Sequence, residues 1–192
     1  MSYSFFALIS RMRYISRWSL MRNSYTENIQ EHSHMVAVLA HALAVIRREV
    51  FSQPADPNAC AAAALFHDAP EIFTGDLPTP VKYFNPEIHS AYRKVESVAG
   101  ARLLSMLPEA LRGAYAPLLQ GGEDEQVRRL VKAADKLAAY IKCLEELDAG
   151  NQDFKLAAQE TLSLLKGYQM PEVDYFLGHF SEAFGLTLDE LH

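Results

Sequence analysis

Four side chains from three separated stretches could close on one metal ion: His32, the adjacent pair His67-Asp68, and Asp135. Two imidazole nitrogens and two carboxylate oxygens make a mixed donor set of borderline to hard character. Such a set suits Mn²⁺, Co²⁺, Fe²⁺ or Zn²⁺ and leaves positions for water and substrate. An ion held this way acidifies water and polarises a phosphoryl oxygen. Glu71 follows His67 by about one helical turn, with Pro70 between them, which suits a group that orients water or takes its proton. Asp76 can assist that role or hold a sugar hydroxyl. Asp135 is the most informative of these residues. It lies among Val127, Leu130, Val131, Ala134, Leu137, Ala138, Ile141 and Leu144 at helical spacing, where a carboxylate needs a cation, several donors or pocket solvent.

Positioning the set requires at least three helices. His32 enters a helix that starts at Thr26 or Asn28 and runs to about Arg48. Asp56-Pro57 signals the start of an alanine-rich helix carrying residues 58–68, an aspartate cap before proline at the first helical position. Small side chains let neighbouring helices approach closely. Gly75, Pro78 and Pro80 then stiffen the loop that presents Asp76 and Thr79, a backbone suited to a preorganised pocket wall. Asp135 belongs to a helix over 124–148. Further helices are predicted over 4–16, 86–107, from Pro108 to near Leu119, over 153–166 and over 171–184. Ile88, Tyr92, Val95, Val98, Ala99, Arg102 and Leu103 form the expected inner stripe of the 86–107 helix. Phe154, Leu156, Leu162 and Leu165 carry the next-to-last helix, and Val173, Phe176, Leu177, Phe180 and Phe184 the last. The fold class is all-α, a compact multi-helix bundle forming one domain over 1–192. His34, His41, His179 and His192 have no constellation around them. Arg17-Trp18 in isolation reads as a surface arginine beside a core tryptophan.

With 192 residues and a net charge of -6, the chain lacks the basic face of a nucleic-acid binder. Cys60 and Cys143 sit in apolar stretches, no CxxC occurs, and buried thiols are expected. Arg11, Arg13 and Arg17 follow the apolar start rather than precede it, the wrong order for a signal peptide. No apolar run is long enough to span a bilayer, so the expectation is a cytoplasmic protein without a membrane partner. There is no GxSxG elbow, P-loop or dinucleotide fingerprint.

A lone histidine, a His-Asp pair and a distant helical aspartate resemble the HD-domain metal-dependent phosphohydrolases. Ser16-Arg17-Trp18, Glu31-His32-Ser33, the run Leu65 to Glu71, the run Thr74 to Phe84 and the run Lys132 to Tyr140 are similar to the bacterial 5'-deoxynucleotidase family. That resemblance implies an all-helical HD-domain homodimer that removes phosphate from deoxyribonucleoside 5'-monophosphates. It implies one divalent ion per subunit, Co²⁺ or Mn²⁺ in preference to Zn²⁺ or Fe²⁺, held by His32, His67, Asp68 and Asp135. It assigns phosphate orientation to Arg17, rejection of the ribose 2'-hydroxyl to Trp18 and the catalytic carboxylate to Glu71, with Asp76 in support. Nucleotide contacts fall on Asp76, Leu77, Pro78 and Thr79, with His32, Asp68 and Asp135 adjoining the substrate. The alternatives are an HD phosphohydrolase acting on a cyclic nucleotide, a nucleoside triphosphate or an alarmone, and a helical nucleotide-binding or interaction protein.

Overall fold

The computed structural model describes residues 2–82, 84–122 and 124–191, with the backbone alone for Thr79. Tyr83 and His192 lie outside the described residues. Ten α-helices follow in order among the described residues: α1 Phe5–Ile9, α2 Ile29–Glu49, α3 Pro57–Phe66, α4 Glu71–Thr74, α5 Thr79–Lys82, α6 Pro86–Ser105, α7 Glu109–Gln120, α8 Glu125–Asp148, α9 Lys155–Gly167 and α10 Pro171–Phe180. No strand occurs among them beyond an isolated bridge pairing Ser16 with Asn28. No helix of the described residues is long and apolar enough to cross a membrane.

The helix starts are written locally. The Asn28 side chain accepts from the Glu31 backbone N–H while the Glu31 carboxylate accepts from the Asn28 N–H, a reciprocal cap that fixes where α2 begins. Asp56 caps α3 ahead of Pro57, and Asn85 caps α6 ahead of Pro86. The core lies where α2, α3 and α8 meet, around Val36, Leu39, Ala40, Leu43, Cys60, Ala64, Leu130, Ala134, Leu137 and Ile141. Each large aliphatic chain buried there contributes about 1.5–3 kcal/mol. Cys60, Ala63 and Ala64 are the buried side of α3, so its small residues do bring α2 and α8 close. Burial pushes the Cys60 thiol up to about 11 and the Cys143 thiol up to about 12, as expected of inert core cysteines.

A second cluster of Phe5, Ala69, Leu103, Leu107 and Leu119 lies under the turn that carries His67 and Asp68. Ala69 is fully buried in it. Gly100 lets α6 and α7 touch, because a Cβ there would stand 2.4 Å from the Leu119 carbonyl oxygen.

Several sequence expectations are corrected. The 4–16 segment is α1 followed by a 3₁₀ turn over Ser10–Tyr14. Helix α3 stops at Phe66, placing His67 and Asp68 in a turn between α3 and α4 instead of inside a helix. On α6 the buried stripe is Ala99, Gly100 and Leu103, whereas Ile88, Val95 and Val98 are exposed. Periodicity marked a stripe, and only its C-terminal half meets α7. Leu156 and Phe180 are likewise exposed, although Phe154, Leu165, Val173 and Phe176 are core residues as expected.

Candidate metal centre and active site

Helix α2, the 67–70 turn and helix α8 bring His32, His67, Asp68 and Asp135 together. One donor atom each from His32, His67 and Asp135 lies within 4.8 Å of the other two. His32 Nε2 is 3.1 Å from Asp135 Oδ1 and 3.6 Å from Asp68 Oδ2, and His67 Nε2 is 3.2 Å from the same Asp68 oxygen. His67 Nδ1 must donate, because its partner is the Ala64 carbonyl oxygen at 2.7 Å. In the neutral ring that leaves the lone pair on Nε2, which is buried and makes no well-directed hydrogen bond among the described residues. An orphaned imidazole nitrogen aimed at two carboxylates is the donor arrangement that a divalent cation completes. The carboxylates draw positive charge strongly. Burial works against the charged imidazole, yet Asp68 and Asp135 push His67 up to about 9. Burial opposes ionisation of Asp135, but His32 and Lys136 hold its carboxyl well below the usual range. The carboxylate on the apolar face of α8 thus meets both a metal-type histidine and Lys136 Nζ, at 3.0 Å.

Arg17 and Trp18 sit on the loop between α1 and α2, at the same centre. Arg17 Nη1 is 3.5 Å from Asp68 Oδ2. Arg17 Nε and Trp18 Nε1 both donate to Glu27 Oε2, each at 3.0 Å. Trp18 adopts the left-handed region at φ 56° and packs its ring on Phe154, with centroids 5.3 Å apart. A non-glycine residue at positive φ is strained and persists only where its surroundings hold it. Part of that hold is a buried polar knot under the loop. Glu146 accepts from the Ser24 and Tyr25 backbone N–H groups, from Asn151 and from Lys142, which also donates to the Tyr25 carbonyl. Burial alone would raise the Glu146 carboxyl; these donors bring it down to about 2.

Glu71 opens α4 and is 2% exposed. Lys82 at the end of α5 donates to its Oε1 at 2.5 Å, and its Oε2 has no hydrogen-bond partner among the described residues. Burial and the Asp68 carboxylate push Glu71 up to about 8 against the pull of Lys82. A carboxyl ready to exchange its proton near neutrality is matched to general acid–base work. Burial likewise raises Asp76, against Arg17 and Lys82. A cavity of about 470 Å³ connects these groups, with Arg17, Trp18, Asp68, Glu71, Asp76, Leu77, Pro78 and Asp135 in its walls. Ligand pockets commonly span about 300–1,000 Å³. Asp135 also borders a smaller cavity of about 300 Å³, which His67 lines. Arg17, Trp18 and Glu71 line only the larger of the two. His32 and His67 reach the larger cavity's wall through Asp68 and Asp135, and the Thr79 side chain lies outside the described residues.

Residues 4–184 match the family described as 5'-deoxynucleotidase YfbR-like. The chain belongs to that family. It is 50% identical over 190 residues to a 5'-deoxynucleotidase of Photobacterium profundum, covering 97% of each chain. It is 49% identical to one of Cronobacter sakazakii over 97% of this chain and 94% of the relative. Among solved structures, an HD-domain phosphohydrolase from Listeria innocua superposes with a TM-score of 0.82 at 25% identity, over 94% of this chain and 88% of its own. A cyanophage S-2L HD phosphohydrolase, bound to dA and one catalytic Zn²⁺, matches at a TM-score of 0.67 and 21% identity, over 96% of this chain and 98% of its own. The second likeness shows the fold. This protein is therefore a metal-dependent 5'-deoxynucleotidase on an HD-type helical bundle, with a His/His/Asp metal site.

Within this family frame, three side chains at the site escaped the sequence reading. Glu27 lies between the two expected starts of α2, Thr26 and Asn28, with no role assigned to it. Lys82 lies inside the run Thr74 to Phe84, which assigns it none. Tyr92 was placed on an inner stripe, yet it lines the cavity beside Lys82, whose Nζ stands 5.1 Å from its ring centre. A charged residue beside a proline-rich wall was the one available signal for Lys82. For Glu27 there was none, because its link to Arg17 and Trp18 crosses a ten-residue loop.

Proposed function

We propose that this chain hydrolyses deoxyribonucleoside 5'-monophosphates to deoxynucleosides and inorganic phosphate, and discriminates against ribonucleotides. The observation that carries the reading is the close approach of His32, His67, Asp68 and Asp135 to one another, with Arg17, Trp18, Asp68 and Asp135 walling one cavity and Arg17 beside Asp68. His32, His67, Asp68 and Asp135 would hold one divalent ion; the mixed imidazole and carboxylate donors accommodate Mn²⁺, Co²⁺, Fe²⁺ or Zn²⁺, and the family resemblance favours Mn²⁺ or Co²⁺. When bound, the ion supplies a Lewis acid for a phosphoryl oxygen and acidifies the attacking water.

The chain's own residues do the rest. Arg17 Nε is occupied by Glu27, so the terminal guanidinium nitrogens meet the phosphate oxygens and orient phosphorus for in-line attack. Glu71 accepts the proton of the attacking water, and Lys82 holds its carboxylate in place. Water oxygen then joins phosphorus as the bond to the 5'-oxygen breaks, and the departing 5'-oxygen takes a proton from solvent to leave as the deoxynucleoside hydroxyl. Asp76 takes a sugar hydroxyl or assists Glu71, while Leu77, Pro78 and Thr79 form the nucleotide wall. The Trp18 indole closes the sugar side, where an added 2'-hydroxyl would lose its water without gaining a partner.

The chain acts as a single HD-type domain and pairs as a homodimer. The exposed Val95 and Val98 on α6, with Phe84 at 77% exposure beside it, support an apolar face for the second copy. Light scattering reads that mass directly.

The deciding assay is phosphate release from matched dAMP/AMP and dCMP/CMP pairs, with Mn²⁺ or Co²⁺ supplied to demetallated protein. Turnover of the deoxy member with little of the ribo member is expected. Equal turnover of both would remove the sugar selectivity. Pyrophosphate or an opened cyclic nucleotide as product would move the chain to another HD activity.

A further inference from the structure

The Glu27 carboxylate stands between two parts of the site. Its Oε2 accepts from Arg17 Nε and Trp18 Nε1, both at 3.0 Å. Its Oε1 faces His32 Nδ1 at 4.0 Å. His32 is fully buried, and that Nδ1 has no hydrogen-bond partner among the described residues. The backbone makes this placement rigid. The Arg17 N–H donates to the Glu27 carbonyl at 2.9 Å and the Ile29 N–H to the Ile15 carbonyl at 3.0 Å, so the two ends of the 15–29 loop are zipped together. Asn28 then caps α2, which sets Glu27 just ahead of the first turn and His32 just inside it.

From this geometry we infer that Glu27 is a positioning residue shared by the phosphate–sugar clamp and the metal centre. The inference deepens the reading proposed above and rests on it for the meaning of the clamp. One oxygen fixes the guanidinium and the indole in a common plane of approach, and holds Trp18 in its left-handed conformation. The other presents a negative charge to the imidazole edge remote from Asp135. With a cation taking the place of the Nε2–Asp135 contact, that charge lies where a ring N–H at Nδ1 would point, the usual service of a carboxylate behind a metal-binding histidine. Arg17 in turn reaches Asp68, so one carboxylate braces two elements that meet a bound substrate and one that meets the ion.

Trp18 is the one tryptophan of the chain, so intrinsic fluorescence reports the clamp alone. In metal-free Glu27→Ala the emission should shift relative to wild type, with unchanged far-ultraviolet circular dichroism. Mn²⁺ affinity, read by calorimetry, should fall by about 10-fold or more, as for other carboxylates behind metal-binding histidines. The dAMP/AMP ratio of kcat/KM should fall by about 10-fold or more with the loss of two hydrogen bonds to a charged acceptor. Trp18→Phe separates the two functions: it should lower the dAMP/AMP ratio while keeping wild-type Mn²⁺ affinity. Glu27→Gln keeps an amide oxygen for the clamp but not the charge facing His32. It should retain the emission and still lose Mn²⁺ affinity, and it serves if the alanine variant does not fold.

Wild-type Mn²⁺ affinity in both Glu27 variants overturns the shared role, and an unchanged emission in Glu27→Ala overturns the clamp support. If wild-type protein fails to favour dAMP, the functional reading fails separately, and the fluorescence and Mn²⁺ measurements still judge Glu27.

Discussion

Replacing Lys82 by methionine keeps an unbranched stem of similar length and removes a cation that donates to Glu71. Glu71 is buried, its Oε1 accepts from Lys82 at 2.5 Å, and its Oε2 has no partner among the described residues. The lost interaction is a hydrogen bond between charged groups, worth about 1.5–3 kcal/mol. At about 1.4 kcal/mol per pKa unit, Glu71 should rise by roughly one to two units. Lys82 stabilises the ionised carboxylate, so its removal raises the pKa further from the value of about 8 that burial and Asp68 already impose. A base that needs to be ionised then works at higher pH. In single-turnover phosphate release from dAMP, the acid limb of the pH profile should move up by about one to two units, with a loss of about 10- to 100-fold below it. Activity should recover toward wild type on the alkaline side. The same shift has a stability signature in metal-free protein. A carboxyl whose folded pKa lies above its unfolded value stabilises the fold at low pH and loses that contribution as pH rises through the folded value. For Glu71 the window runs from the ordinary 4.5 to about 8, and Lys82→Met should extend it upward. An acid limb that stays in place, or a rate loss equal at every pH, would refute this use of Glu71 and Lys82.

Asp135→Ala removes a ligand that also pairs with His32 and Lys136; metal content by mass spectrometry should fall and phosphate release drop more than about 100-fold, beyond the usual loss for an outer carboxylate. Glu146→Ala leaves Lys142 buried without its carboxylate, and urea denaturation should show a loss of about 3–5 kcal/mol. In the wild type, the same carboxyl sits at about 2 against an ordinary 4.5. Its contribution is therefore complete above about pH 4.5 and disappears as pH falls through about 2, which acid titration of the fold can follow. Gly100→Ala drives a methyl against the Leu119 carbonyl and should destabilise by about 1–3 kcal/mol in the same urea assay, while the Mn²⁺ affinity stays at the wild-type value.

Much of the bundle was legible without coordinates, because its signals are local. The Asn28 and Asp56 caps, the proline after Asp56 and the apolar period of α8 act within a few residues of themselves. The ligand set was legible for a related reason. A carboxylate on an apolar face or a His-Asp pair at a helix end is costly unless something distant compensates it. The reverse problem defeated the α6 stripe: its period was real, but whether an apolar face is covered depends on where α7 and the turns fall. His67 and Asp68 lie in a turn whose Ala69 is drawn into the cluster with Phe5, Leu103 and Leu119, partners 34 to 64 residues away in sequence.

Residue types and spacing by themselves thus determined the helical class, the four metal-type donors and Glu71, since each choice rests on a local propensity or on an unpaired charge that must be answered. Tertiary structure alone decided how those charges are answered. It set Lys82 on Glu71 and Glu27 between Arg17-Trp18 and His32, because pairings across loops follow from packing and leave no mark in sequence period.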